Sequence, residues 1–408
     1  MEATSRKIHI DDLFPGMYVE DVLNSKGVLL FRANTVVTDM AQVERLRNHG
    51  VKEVCINTTR SEAALALSEI PSGDFSRETI AQSPYSAADA AEYKRAVSCA
   101  KMVKARTVTL VKNCMISAQR SRSFASSGVE EAISMLVDEV VSMRDVFFAV
   151  CRMQAKDDPL YEHSVNVCVI AAALAHSMGL SKETVVDCAV GALFHDIGML
   201  RIPEHIRKKT GKFTQFEYDA IRLHPQLGVS LLEQTGNFSA TVRTIVYQHH
   251  ERFNGSGYPE GLRNHSIEPE AMICAIADVF DSLTNQTEHR KECLPQEAVA
   301  LIFQGIDEEY PVNLVDALVK LLGIYPVGSF VKLKSGEIGM VFKNDHNNLM
   351  APFLIMCLDS RQKPLKQTFI RNLASNRNGS VSQPWRIESI VNPSEYDLSA
   401  DSVLGALA

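Results

Sequence analysis

Paired cysteines are missing: nine stand singly along 408 residues, with no Cys-x-x-Cys spacing. That scatter excludes a dense disulfide framework and fits reduced thiols in a cytoplasm. Long apolar runs are missing too. The longest, near Val167 to Ala175, stops at His176, far short of the roughly 20 residues of a membrane span. Met1 to Asp12 is polar and lacks the apolar core of a secretory signal. Nor is there an excess of basic charge. A net charge of −7 gives no electrostatic reason for binding a nucleic-acid polymer, so any basic site must be local. What is present is 46% hydrophobic and 22% charged residues, the profile of a folded soluble chain. The length suits two or three domains. We expect a cytoplasmic, multi-domain protein that binds no membrane.

Residues 1–57 read as a small α/β module. Stretches at Ile8–Ile10, Met17–Val22 and Val28–Phe31 alternate in polarity and are broken by Pro15-Gly16 and Ser25-Lys26-Gly27. A helix is expected from Asp39 to Gly50, then a closing strand over Val51–Ile56. Residues 58–90, rich in Ser and Ala, read as a linker. Residues 91–154 read as a helical connector. Ser127 and Glu130 have capping-box spacing there, ahead of an apolar stripe of Val129, Ile133, Leu136, Val137 and Val140. Such helices could relay motion, form a homodimer, or simply pack on the next domain. Residues 155–326 are helical throughout. Past Pro326, alternation on either side of Ser335-Gly336 predicts a hairpin, and residues 327–408 read as a small β appendage and tail. The fold class is mainly α.

Nine of the twelve histidines fall between His163 and His289. Imidazole and carboxylate together suit first-row transition metals. The candidate ligands are His163, His195 with Asp196, His224, His249 with His250, and Asp278, each placed where a helix could aim it inward. An adjacent His-Asp pair suits a two-metal centre: the histidine binds one ion and the carboxylate bridges both, so that one hydroxide can lie between them. A lone buried histidine is usually a core residue. Five histidines and two aspartates at these intervals are hard to explain that way. Asp281, one helical turn beyond Asp278, is a candidate for proton transfer or for orienting a ligand histidine.

The motifs Gly191-Ala192-Leu193-Phe194-His195-Asp196-Ile197-Gly198, His224-Pro225, His249-His250-Glu251, Gly255-Ser256-Gly257-Tyr258-Pro259 and Ile276-Ala277-Asp278-Val279-Phe280-Asp281 resemble, in this order, the HD-GYP branch of the HD-domain phosphohydrolases. The likeness covers roughly residues 155–345. Leu13-Phe14-Pro15-Gly16-Met17-Tyr18-Val19 is similar to an uncharacterised module that often precedes HD-GYP. The resemblance implies a helical bundle around divalent iron or manganese. It also implies hydrolysis of cyclic di-GMP to a linear dinucleotide or to GMP, with cyclic GMP-AMP as the alternative substrate. It places Gly257, Tyr258 and Pro259 beside the substrate pocket or in a contact with a signalling partner. Read alone, those three residues would be a tight turn.

The chain also departs from that family. Met199 stands where a lysine is usual and Asn254 where an aspartate is. In Ser282–Arg290, Thr287 replaces the first of two arginines and Arg290 survives as the expected substrate-binding cation. Pro159 replaces the glutamate of three-metal members, so two metal ions are expected. Arg201, Lys208 and Lys209 are weaker candidates for holding phosphate. Two other readings stay open: a slow or inactive receptor for nucleotide or partner proteins, and a nucleotidase.

Overall fold

The computed structural model describes residues 5–10, 13, 18–23, 29–37, 43, 46–47, 51–57, 87–120, 124–153, 159–209, 211–285, 293–345, 348, 350–374 and 383–406. They fall into two compact units, within residues 1–81 and 82–408. In the first, strands β1 (Ser5–His9), β2 (Tyr18–Leu23), β3 (Leu29–Val36) and β4 (Glu53–Asn57) form an antiparallel sheet in the order β1-β4-β2-β3. Its core gathers Ile10, Leu13, Val19, Val37, Val43, Val51, Val54 and Ile56. The third strand runs five residues past the expected Phe31, because pairing with β2 draws the polar stretch Arg32–Thr35 into the ladder. Of the helix expected over Asp39–Gly50, Val43, Leu46 and Arg47 are described, all helical. Residues 58–86 of the expected linker lie outside the described residues.

The second unit begins with α1 (Ala87–Gln119), α2 (Ser126–Ser142) and α3 (Arg144–Cys151). The stripe Val129, Ile133, Leu136, Val137 and Val140 is buried. The expected capping box is not formed. Ala125 is the N-cap and makes no side-chain cap, and Ser127 sits inside the helix. Tertiary bonds fix this end instead: Phe124 N–H donates to Thr235 O at 2.8 Å, and the Ser126 hydroxyl to Asn237 O at 3.1 Å.

Next come α4 (Pro159–Ser177) and α5 (Lys182–Phe194), then a 3-10 turn (Ile197–Arg201), α6 (Glu204–Arg207), α7 (Gln215–Ile221), α8 (His224–Thr235), α9 (Ala240–Gln248) and α10 (Pro269–Thr284). The apolar run seen in the sequence is the middle of α4, where every residue from Ser164 to Ala175 is buried. A helix apolar on all sides belongs at the centre of a bundle. Accordingly, α4 packs against α1, α2, α3, α5 and α10. Helices α11 (Pro295–Gln304) and α12 (Val312–Leu322) complete the bundle, with α12 also against α4.

Strands β5 (Phe330–Leu333), β6 (Ile338–Lys343), β7 (Phe353–Leu358), β8 (Pro364–Asn372) and β9 (Ile387–Val391) form an antiparallel sheet, ordered β8-β7-β6-β5-β9, before a short α13 (Ala400–Ala406). The predicted hairpin is β5–β6, turning at Gly336 with φ +88°. Residues 338–342 of β6 are buried on both faces. One reason is that Phe342 meets Tyr93 of α1 edge to face at 4.7 Å. No helix among the described residues is long and apolar enough to cross a membrane.

Candidate metal centre

Each expected ligand is held by the end or the inner face of a helix. Ser181 caps α5 by accepting from Thr184 N–H, and that helix ends at His195. Ser239 caps α9 in the same way, accepting from Val242 N–H, and the helix ends at His249. His224 opens α8, His163 lies in α4, and Asp278 and Asp281 lie on the buried side of α10. Gly198 lets the turn after Asp196 approach α8. A Cβ there would stand 1.9 Å from His224 O, so any side chain would push the two ligand-bearing segments apart.

The side chains converge in two groups. Asp196, His224, His249 and His250 offer ligand atoms within 4.8 Å of one another, and so do His163, His195 and Asp196. Asp196 belongs to both. Asp278 joins the second group through its Oδ1, 3.2 Å from His163 Nε2.

Three histidines are set by the backbone carbonyl three residues before them. Nδ1–H of His195 donates to Ala192 O at 2.7 Å, that of His224 to Ile221 O at 2.8 Å, and that of His249 to Val246 O at 2.8 Å. A carbonyl can only accept, so Nδ1 carries the proton and Nε2 keeps its lone pair in the neutral ring. The fourth, His163, is turned by Asp281, whose Oδ2 lies 2.7 Å from Nδ1.

This arrangement fits a bound cation. His195 Nε2 is buried and makes no hydrogen bond, with Asp196 Oδ2 3.5 Å away. His224 Nε2 and His249 Nε2 face each other at 3.1 Å, and Asp196 Oδ1 is 3.2 Å from the former. Converging lone pairs beside a carboxylate repel unless a positive charge sits among them.

Burial pushes His249 well below the usual imidazole range, helped by His250 and His195, and brings His250 down to about 3. Both rings are therefore neutral, the state a ligand needs. Burial works against ionised Asp196 and Asp278, yet the neighbouring histidines hold both below the usual carboxylate range. It also opposes charge on His163, but Asp278 and Asp281 together hold that ring well above its ordinary value. The proton on Nε2 is the one that yields to a cation.

The loop carrying Gly257, Tyr258 and Pro259 borders the first group. The Tyr258 ring stacks on His250 at 4.6 Å and lies 6.3 Å from His224. Burial raises its phenol, with Asp196 adding to the effect, so the hydroxyl stays protonated. A Cβ on Gly257 would stand 2.4 Å from both His250 O and Arg252 N, so a side chain is excluded there.

Sequence reasoning gave Glu251 no role beyond its place in a motif. It is fully buried, and its carboxylate accepts from the N–H groups of Glu260 (2.7 Å), Gly261 (3.2 Å) and Leu262 (2.9 Å). The available signal was a carboxylate abutting two ligand histidines. Lys208 and Lys209 pair with Glu204 and Glu217, at 2.7 and 2.5 Å, and Arg201 is exposed. Thr287 and Arg290 lie outside the described residues.

Histidines and aspartates converging inside a helical bundle are arranged as a metal centre would need them. Residues 150–310 match the family model described as HD domain, and residues 5–128 match a domain of unknown function, DUF3391. The HD-domain match covers the helical bundle that carries the cluster, and the DUF3391 match runs from the N-terminal sheet into the first helices of the second unit. It is 29% identical to a cyclic di-GMP phosphodiesterase of Pseudomonas aeruginosa, over 90% of this chain and 88% of that one. A cyclic di-GMP phosphodiesterase response regulator of Xanthomonas campestris is 36% identical over 37% of this chain and 40% of its own. A 3'3'-cGAMP-specific phosphodiesterase of Vibrio cholerae is also 36% identical, over 40% of this chain and 35% of its own.

Proposed function

We propose that this protein is a metal-dependent phosphodiesterase that opens a cyclic dinucleotide, cyclic di-GMP in the first instance, at a centre of two divalent iron or manganese ions. The observation that carries this reading is that Asp196 belongs to both ligand groups. One carboxylate reached by two sets of imidazoles is the arrangement of a bridged pair. His224, His249 and His250 would hold one ion, and His163, His195 and Asp278 the other. Ions bound there supply Lewis acidity toward a phosphoryl oxygen and bring water toward ionisation near neutral pH. The protein aims the histidines, keeps His249 and His250 neutral, and sets the Tyr258 ring beside His250 and His224, where it would border the substrate. The DUF3391 segment and the helices that follow it would carry the input. The likeness to the Pseudomonas enzyme, spanning 90% of the chain, supports cyclic di-GMP, and the Vibrio relative makes cyclic GMP-AMP the alternative.

The test joins elemental analysis to product chromatography. Iron- or manganese-loaded protein should carry two ions per chain and cleave cyclic di-GMP, and Asp196→Ala should lose both ions along with the cleavage. Unchanged metal content in Asp196→Ala would refute the bridge. Binding of cyclic di-GMP without cleavage by fully loaded wild type would make the protein a receptor instead.

A further inference from the structure

A cyclic dinucleotide carries two phosphodiesters, and a metal centre can neutralise only the one being cleaved. The other stays anionic and needs a cation or N–H donors close to the ions. Met199 follows Asp196 by three residues and offers no donor. Lys208 and Lys209 are held by Glu204 and Glu217. Arg252 is spent on the backbone, donating to Glu251 O at 2.9 Å and His249 O at 3.3 Å, with Glu309 3.5 Å away.

Arg222 is different. Its Cζ lies over the Tyr258 ring at 4.7 Å from the centroid and 5.8 Å from the centroid of Tyr218, and it has no carboxylate partner among the described residues. It is half-buried and closes α7, where its N–H donates to Tyr218 O at 3.0 Å. Two residues on, His224 donates to Ile221 O, so the turn that carries Arg222 also fixes a ligand. Tyr258 in turn stacks on the ligand His250. An aromatic face attracts a guanidinium while leaving its N–H edge open. A bidentate phosphate contact needs that edge.

Resting on the function proposed above, we propose that Arg222, presented by Tyr258, holds the second phosphodiester of the cyclic dinucleotide. The fork engages the phosphate that is not cleaved, so the arginine sets affinity and preference for a double phosphodiester over a single one. The nucleobases are read elsewhere.

Full-length, metal-loaded wild type, Arg222→Met and Arg222→Lys test this. The binding probe is a non-hydrolysable bis-phosphorothioate analogue of cyclic di-GMP, measured by calorimetry at low and high salt. Turnover is measured on cyclic di-GMP, cyclic GMP-AMP and the single phosphodiester bis(p-nitrophenyl) phosphate, and metal content is measured for each protein. Losing a charge-assisted contact weakens binding about ten- to a hundredfold. Arg222→Met should show that loss in Kd and KM more than in kcat, with metal content intact and a smaller salt dependence than wild type. Its loss on both cyclic dinucleotides should exceed that on the single phosphodiester at least tenfold, and Arg222→Lys should recover part of it.

Three results would overturn the proposal: an unchanged Kd in Arg222→Met, equal losses on single and double phosphodiesters, or losses that differ between the two cyclic dinucleotides. The last would place Arg222 on a base edge. If wild type neither binds nor cleaves any cyclic dinucleotide, the underlying function fails. If wild type does both and Arg222→Met matches it, only this assignment fails.

Discussion

Asp281 Oδ2 accepts from Nδ1 of His163 at 2.7 Å while its Oδ1 accepts from the side-chain amide of Asn285 at 2.6 Å. Both carboxylate oxygens thus have partners within the protein. Of the two roles the sequence allowed Asp281, this geometry favours orienting the ligand histidine over moving a proton at the leaving oxygen. Removing such a partner typically costs ten- to a hundredfold in metal affinity or activity, by a rough general measure. Asp281→Asn keeps an oxygen that can face Nδ1–H and should lose about tenfold in metal affinity. Asp281→Ala frees the ring and should lose more. Titration with manganese checks the order. Wild-type metal affinity in both variants, together with slowed turnover, would restore the proton-transfer role.

Glu251 and the loop after Tyr258 form a second such unit. The buried carboxylate satisfies three consecutive backbone N–H groups, those of Glu260, Gly261 and Leu262. A glutamine offers one accepting oxygen and turns an NH2 group toward a donor, so at least one buried N–H is stranded. An unsatisfied buried group costs about 1–3 kcal/mol. Glu251→Gln should therefore lower stability by that order in urea denaturation and raise KM, since the same loop positions Tyr258 against His250. Glu251→Ala, which strands all three donors, should lose more. Stability equal to wild type in both variants would mean that water replaces the carboxylate.

The converging cluster of histidines and aspartates was legible in the sequence because side chains aimed inward from helix ends leave local marks. Ser181 and Ser239 cap the helices that end at His195 and His249, and paired His-Asp and His-His residues stand out against an apolar background. The apolar run of α4, read in the sequence only as too short for a membrane span, carries the mark of a helix buried on all sides. What escaped depends on contacts between distant segments. The start of α2 is fixed by Thr235 and Asn237, so its apparent capping box at Ser127 and Glu130 meant nothing. Glu251 bonds backbone rather than side chains, which leaves no periodicity to read. Arg222 acquires its setting only when the loop of Tyr258 folds over it.

Met199 gives the third prediction. Its N–H donates to Asp196 O at 2.9 Å in the 3-10 turn, where side chains three apart lie nearly above one another. A lysine there would bring an ammonium beside the carboxylate shared by both ligand groups. Met199→Lys should raise kcat/KM for cyclic di-GMP about tenfold or more if the ammonium reaches phosphate, since one contact to a charged group is worth roughly 1.5–3 kcal/mol. Cation repulsion works the other way and would appear as lost metal. Kinetics and metal content must be read together: a fully loaded variant with unchanged kcat/KM would mean that the site does not use a cation at this position.

Lys104 of α1 lies 2.9 Å from Glu162, the residue before His163, and their side chains are 9% and 14% exposed. Burial opposes the charge on Lys104, yet its surroundings, Glu162 among them, hold its pKa above the ordinary value, so the ammonium persists. Replacing both members of such a pair is often nearly neutral, because each costs desolvation. Removing one partner is different and leaves a stranded charge, at about 3–5 kcal/mol. Lys104→Met should therefore destabilise the chain strongly, and Lys104→Met combined with Glu162→Gln should recover most of the loss. Because Glu162 and His163 are adjacent on α4, the single variant should also bind manganese more weakly than the double one. Chemical denaturation and metal titration of the four proteins of this cycle test both points. Additive losses would mean that the two charges are not coupled, and that α1 does not reach the metal centre through this pair.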